Sequence, residues 1–124
     1  VGSVKKLIYI AGPISSPEPL QFLHNVQTGI ARGKEGQHYV CIPHLDYSLF
    51  LVDGPSPDLE QIQCNSMELM RRCDVVLLLP GWKDSRGCLA EVAEARRVSI
   101  PMFELIPSPS GRWEEAMVRM VDQC

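Results

Sequence analysis

Hydrophobic and polar positions change period several times along this chain, and each change marks an element. Residues 5–11 (KKLIYIA) form a short apolar run closed by Gly12-Pro13, the pattern of a buried strand. Over residues 18 to about 32 the spacing becomes helical, with Phe22, Val26 and Ile30 at i, i+4 and i+8, and Gly33 and Gly36 are expected to end the helix. Residues 38–43 (HYVCIP) read as a second strand. A loop follows at residues 53–57, with Ser56 as cap and Pro57 suited to the first turn of the next helix. That helix is expected to reach about Arg72. Leu59, Ile62, Leu69, Met70 and Cys73 fall on its inner face and Ser66 at the centre of that face. A Ser so placed ordinarily bonds to its own helix backbone.

Residues 74–79 (DVVLLL) are continuously apolar after the Asp, as in a central parallel strand covered on both sides. Pro80-Gly81 stops the run. Ser85 and Gly87 then open a helix of good formers over residues 89–97. A short strand is expected at residues 100–105. After the polar turn at 106–111, residues 112–121 predict a terminal amphipathic helix with Trp113, Ala116, Met117 and Met120 inward. The alternation of strand and helix implies a single α/β domain over residues 1–124. It would be a three-layer sandwich with a parallel sheet of about four to five strands and right-handed crossovers.

At 3.6 residues per turn, Cys88, Val92, Ala95 and Val98 share one side of the 89–97 helix, and Ala90, Glu94 and Arg97 the other. Glu91 lands inside the apolar arc. A carboxylate there is unfavourable unless it is paired or used in chemistry. It follows the carboxyl end of a parallel strand, where open α/β sheets bind ligands. The plain alternative is a Glu at the rim of the buried face, held by an Arg or a backbone amide.

Charge and composition narrow the function classes. Twelve Lys and Arg against 15 Asp and Glu give a net charge of −3, which leaves no basic footprint for a nucleic-acid polymer. No apolar run approaches the length of a membrane span. Val1-Gly-Ser3 is expected to be an appended remnant, and no secretory signal is expected. The five cysteines form no CxxC pair, which favours a reducing, cytoplasmic setting without disulfide framework or zinc site. His24, His38 and His44 are scattered, so neither a metal nor another cofactor is expected.

Three segments together carry a resemblance: Tyr9-Ile-Ala-Gly-Pro-Ile14, Pro43-His44, and residues 73–82 (CDVVLLLPGW) followed by Ser85-Arg-Gly-Cys-Leu-Ala-Glu91. With these the chain resembles the nucleoside 2-deoxyribosyltransferase-like superfamily over nearly its whole length. It is similar in pattern to the small phage and bacterial branch of unknown function and to the 2′-deoxynucleoside 5′-phosphate N-hydrolases. The resemblance implies a Rossmann-like or flavodoxin-like fold, a homodimer whose neighbour completes the site, and retaining cleavage of an N-glycosidic bond. Carried over by position, Glu91 is the nucleophile and Tyr9 orients it. Gly12, Ile14, Ser15 and Ser16 line the sugar and phosphate pocket. Ser85 and Gly87 hold a 5′-phosphate, and His44 lies near the base. The superfamily has an Asp at the position of Ser66, so the proton for the leaving base would come from Asp46, Asp58 or a water. The hydrolase branch has a Ser where this chain has Glu115, and an Arg where it has Ser15.

The expected function is hydrolysis of a (deoxy)nucleoside 5′-monophosphate, or of a nucleoside, through a glycosyl-Glu91 intermediate. A nucleotide-binding or sensing module without turnover, and a base-exchanging deoxyribosyltransferase, stand as alternatives.

Overall fold

The computed structural model describes residues 6–12, 19–36, 38–42 and 59–122. Ile14, Ser15, Ser16, His44, Asp46, the loop at 53–57 and Asp58 lie outside the described residues. In chain order the elements are β1 (Leu7–Ala11), α1 (Pro19–Glu35), β2 (Tyr39–Cys41), α2 (Leu59–Arg71), β3 (Val75–Leu78), a 3-10 turn (Trp82–Asp84), α3 (Arg86–Arg97), β4 (Met102–Ile106), a second 3-10 turn (Trp113–Glu115) and β5 (Met117–Met120).

The five strands make one sheet in the order β2-β1-β3-β4-β5. The first four are parallel, and β5 runs antiparallel to β4. The apolar run of β3 takes the central place, as its lack of polar alternation requires: Val76 and Leu78 are buried on one face, Leu77 and Leu79 on the other. Each fully buried aliphatic side chain of this kind contributes about 1.5–3 kcal/mol. Val26 and Ile30 of α1 pack with Ile10, Leu77, Leu79 and Leu105. On the opposite face Met70 of α2 and Cys88, Val92 and Ala95 of α3 pack with Tyr9, Val76, Leu78 and Met102. The molecule is thus an α/β three-layer sandwich of flavodoxin type, with the strand order reversing direction between β1 and β3.

Two expectations are corrected. Gly33 does not end α1, which continues to Glu35. The glycine is needed because α1 crosses β2 closely: a Cβ there would lie 2.4 Å from Val40 Cγ2. Gly36 follows the helix as a turn.

The terminal segment is not a helix. Its ten residues fit a helical period, but an isolated helix that short is marginal in water. The free edge of β4 offers unmet backbone groups instead. The turn before it reverses the chain, with Gly111 at φ 78° and its N–H donating to the Ser108 carbonyl at 2.9 Å. Glu104 then faces Arg119 across the ladder, with a 3.3 Å ion pair. Ala116 and Val121 are buried, whereas Met117 and Met120 point to solvent at 65% and 66% exposure, the reverse of the helical expectation.

Smaller contacts fix the elements that carry the site. The Leu7 N–H donates to Asp74 Oδ2 at 2.8 Å, tying the start of β1 to the start of β3. Gly81 adopts φ 89°, which permits the sharp exit from β3 and brings the Trp82 ring against the core. Glu94 is no free surface group. It pairs with Arg97 at 2.5 Å and with Arg71 at 2.6 Å, joining α3 to α2. These partners, Arg97 first, hold its carboxyl down at about 2.

Candidate functional site

Tyr9 is the middle residue of β1, and its register partners are Cys41 on β2 and Val76 on β3. The alternation of a strand turns Tyr9 to the face covered by α2 and α3. It is fully buried, and a buried phenol needs a partner for its hydroxyl. That partner is Glu91: the Tyr9 hydroxyl donates to Glu91 Oε2. Glu91 is half-buried in the second turn of α3, between the buried Cys88 and Val92. The plain alternative of an arginine or backbone amide as its holder is replaced by a tyrosine from a different element.

Burial raises the carboxyl of Glu91 above the ordinary range, and the hydrogen bond from Tyr9 pulls it partly back. Tyr9 is pushed the same way, by burial first and then by the neighbouring carboxylate. The phenol therefore stays protonated and serves as a donor.

Ser66, half-buried on α2, acts on the Tyr9 phenol in the opposite sense to burial, lowering it. Thr28 of α1 bonds to its own helix backbone, donating to the His24 carbonyl at 2.9 Å.

Ser85 caps α3. Its backbone is extended, and its side chain accepts from the Cys88 N–H at 3.3 Å. Helix geometry leaves the N–H groups of Arg86 and Gly87 without intrahelical acceptors. A side chain at Gly87 would meet only Ser85 Oγ, at 3.9 Å, so the first turn stands open. Together with the helix dipole this end is suited to an anion. Glu91 lies six residues farther on, about 9 Å along the helix axis. Gly12, at the end of β1, is buried, and a Cβ there would press to 2.8 Å of Leu79 Cδ1.

The structure therefore brings Tyr9 and Glu91 into hydrogen-bonded contact, with Ser66 on α2 and with Ser85 at the cap and Gly87 in the first turn of the helix that carries Glu91. They gather beside the β1–β3 switch point, the place where open α/β sheets hold ligands. Glu115, which stands where the hydrolase branch has a Ser, is engaged by its own turn: it accepts from Ser108 Oγ at 3.1 Å and Ser110 Oγ at 2.5 Å.

The chain belongs to the DUF4406 family. The model of this family, described as a domain of unknown function, matches residues 6–104. No curated protein matches the chain. The DUF4406 match spans Tyr9, Ser66, Ser85 and Glu91 and stops within β4, so the Ser108–Glu115 contacts and β5 lie beyond it.

Sequence reasoning missed Cys41 and Cys88 as neighbours of the DUF4406 site. Cys41 acts electrostatically on Tyr9 across the β1–β2 pair, Glu91 acts in the same way on the Cys88 thiol, and the Cys88 N–H donates to Ser85 Oγ. The period-2 pattern of residues 38–43 would have put Cys41 on the Tyr9 face once the strand pairing was known.

Proposed function

We propose that this protein is an N-glycosidase of the nucleoside 2-deoxyribosyltransferase-like superfamily, hydrolysing a (deoxy)nucleoside 5′-monophosphate. The observation that carries the reading is the buried Tyr9 hydroxyl donating to Glu91 one and a half turns beyond the open start of α3. In this reading the Glu91 carboxylate attacks the anomeric carbon as the base departs, and water later releases the sugar from the ester. Tyr9 holds one carboxylate oxygen so that the other is presented to the sugar. The first turn of α3, with Ser85 and Gly87, receives the 5′-phosphate, and the axial separation leaves room for one pentose between the two. The reading also takes the protein as a cytoplasmic homodimer.

The test is incubation with a panel of ribo- and deoxyribonucleoside 5′-monophosphates, with free base resolved by chromatography. Base release by the wild type, abolished in Glu91→Ala, is the expected result. Intact nucleotides throughout would reject the enzyme. Thermal stabilisation by a nucleotide without product would then point to a sensing module, and product formed only with a second base to a transferase.

A further inference from the structure

We infer that the outer edge of β5 is a docking surface for a second copy of this chain, the two β5 strands pairing antiparallel about a two-fold axis at Val118. Among the described residues five large hydrophobic side chains are exposed, and three of them, Met117, Val118 and Met120, lie on this one strand. Val118 and Met120 stand beside Leu105 and Phe103 on the α1 face of the sheet, and Met117 stands beside Ile106 on the other, so both faces of the edge are apolar.

The backbone decides which groups this edge offers. In an antiparallel ladder, pairs that exchange hydrogen bonds alternate with pairs whose N–H and C=O groups point away. The Val121 N–H donates to the Met102 carbonyl at 2.9 Å, so Glu104–Arg119 and Ile106–Met117 are the bonded pairs that follow. Val118 and Met120 therefore turn their N–H and C=O groups outward, and among the described residues no strand lies beyond them. Edge strands are commonly guarded by a proline, a bulge or an outlying charge. β5 carries no proline, its register with β4 is unbroken, and its single charge, Arg119, is paired with Glu104 at 3.3 Å.

Symmetry and charge choose the occupant. An antiparallel strand presents to its two-fold mate the same donors and acceptors that it needs itself. Setting Val118 opposite the partner's Met120 would bring Arg119 against the partner's Arg119, a like-charge pair that opposes association. Setting Val118 opposite the partner's Val118 instead brings Arg119 against the partner's Met117 and Met120 against the partner's small Ala116. The exposed carboxylate of the partner's Glu115 is then one diagonal step from Arg119, within reach of so long a side chain. The two sheets become one, and each site is left untouched, because Tyr9 lies three strands away on β1.

Sedimentation velocity from micromolar to near-millimolar protein should show a reversible monomer–dimer equilibrium. One strand pair is a small interface, so the dimer should dissociate in the low-micromolar range where unfolding is measured. Val118→Pro removes an outward N–H that β4 does not use, a change an edge strand tolerates, and the two-fold removes it twice. It should weaken association about tenfold or more, with far-UV circular dichroism nearly unchanged. Val118→Cys, in a Cys64→Ser, Cys124→Ser background, should give a covalent dimer with oxidised glutathione, because opposed Cα atoms of a bonded pair are about 5.5 Å apart. Met120→Cys in the same background faces the partner's Ala116 and should not cross-link. Should Val118→Pro fail to fold, the two cysteine variants decide the matter.

A protein that is monomeric at every concentration, a dimer that folded Val118→Pro leaves unchanged, or cross-linking through Met120→Cys as ready as through Val118→Cys would overturn the proposal. The pairing stands apart from the glycosidase chemistry: base release by a strictly monomeric protein would remove the dimer and leave that chemistry in place.

Discussion

Replacing Tyr9 by Phe isolates the bond on which the site is built. The ring is fully buried, so Phe keeps the packing of β1 against α2 and α3 and removes one oxygen. That oxygen donates to a carboxylate. A hydrogen bond to a charged group is worth about 1.5–3 kcal/mol, and one between neutral partners about 1 kcal/mol. Glu91 is half-buried, and water can partly replace the phenol, so the lower part of the charged range applies: about 2 kcal/mol. For a domain of this size that corresponds to a fall in Tm of roughly 8 °C.

The loss should depend on pH in a definite sense. Where Glu91 is protonated, only the neutral bond is lost. As pH rises through its raised folded-state midpoint, the charged bond is lost instead, and the deficit grows from about 1 to about 2 kcal/mol. Urea denaturation of both proteins between pH 4 and pH 8 reads this directly. In a Glu91→Leu background the acceptor is gone, and Tyr9→Phe should then be nearly neutral. A deficit that is flat with pH, or that persists with Glu91→Leu, would refute the bond as the source of the effect.

Glu91→Gln should stabilise the protein. The folded-state carboxyl titrates above its unfolded value because of burial, so wild-type stability falls as pH rises from about 4.5 through the folded midpoint. The advantage of Gln should open over that window and stay constant above it, as read by thermal melts at pH 4, 6 and 8. Glu94 has the opposite sign. Held at about 2 by Arg97 and Arg71, it contributes stability that is complete above its unfolded value and lost as pH falls toward 2, so Glu94→Gln should flatten the acid limb of the stability profile. Gly33→Ala, which would gain about 1 kcal/mol in an open helix, should instead cost about 1–3 kcal/mol by equilibrium unfolding, because Val40 Cγ2 must move, and Val40→Ala should relieve it. Met120→Lys should change stability by less than about 0.5 kcal/mol, where an inward-facing helical Met would have cost several times that.

How much of this was legible in the sequence differs by element. β3 and α3 could be read because their patterns admit one solution: an unbroken apolar run belongs at the centre of a parallel sheet, and Ser85 is a cap with a helical arc behind it. Glu91 stood out for the same reason, as a charge within that arc. The terminal segment could not be read, because a short run with Ala, Val and Met at mixed spacings suits either period. The unpaired edge of β4 decided it, and an edge is a property of the assembled sheet. Ser66 was visible as a polar residue on an apolar face, but the tyrosine whose phenol it influences sits 57 positions away on another element. Residue spacing within a helix carries no information about which strand side chain it will meet.

The surroundings of Glu91 also bear on which atom would react. Thiols lie close by: Cys88 is in the preceding turn, and Cys73 packs in the same core as Tyr9. Either could in principle be the nucleophile in place of the carboxylate. Only the thiolate attacks, however, and burial suppresses it, pushing Cys88 up to about 11 and Cys73 up to about 12. At neutral pH that leaves on the order of one thiolate in ten thousand at Cys88, and fewer at Cys73. Burial also makes the carboxyl less acidic, but it starts from 4.5 rather than 9 and has a donor aimed at it. The same desolvation that silences the thiols leaves Glu91 the more basic and less hydrated, which favours attack on a developing cation. In the proposed glycosidase the buried cysteines would therefore be an apolar wall beside the tyrosine-held glutamate, and the carboxylate, not a thiol, would be the nucleophile.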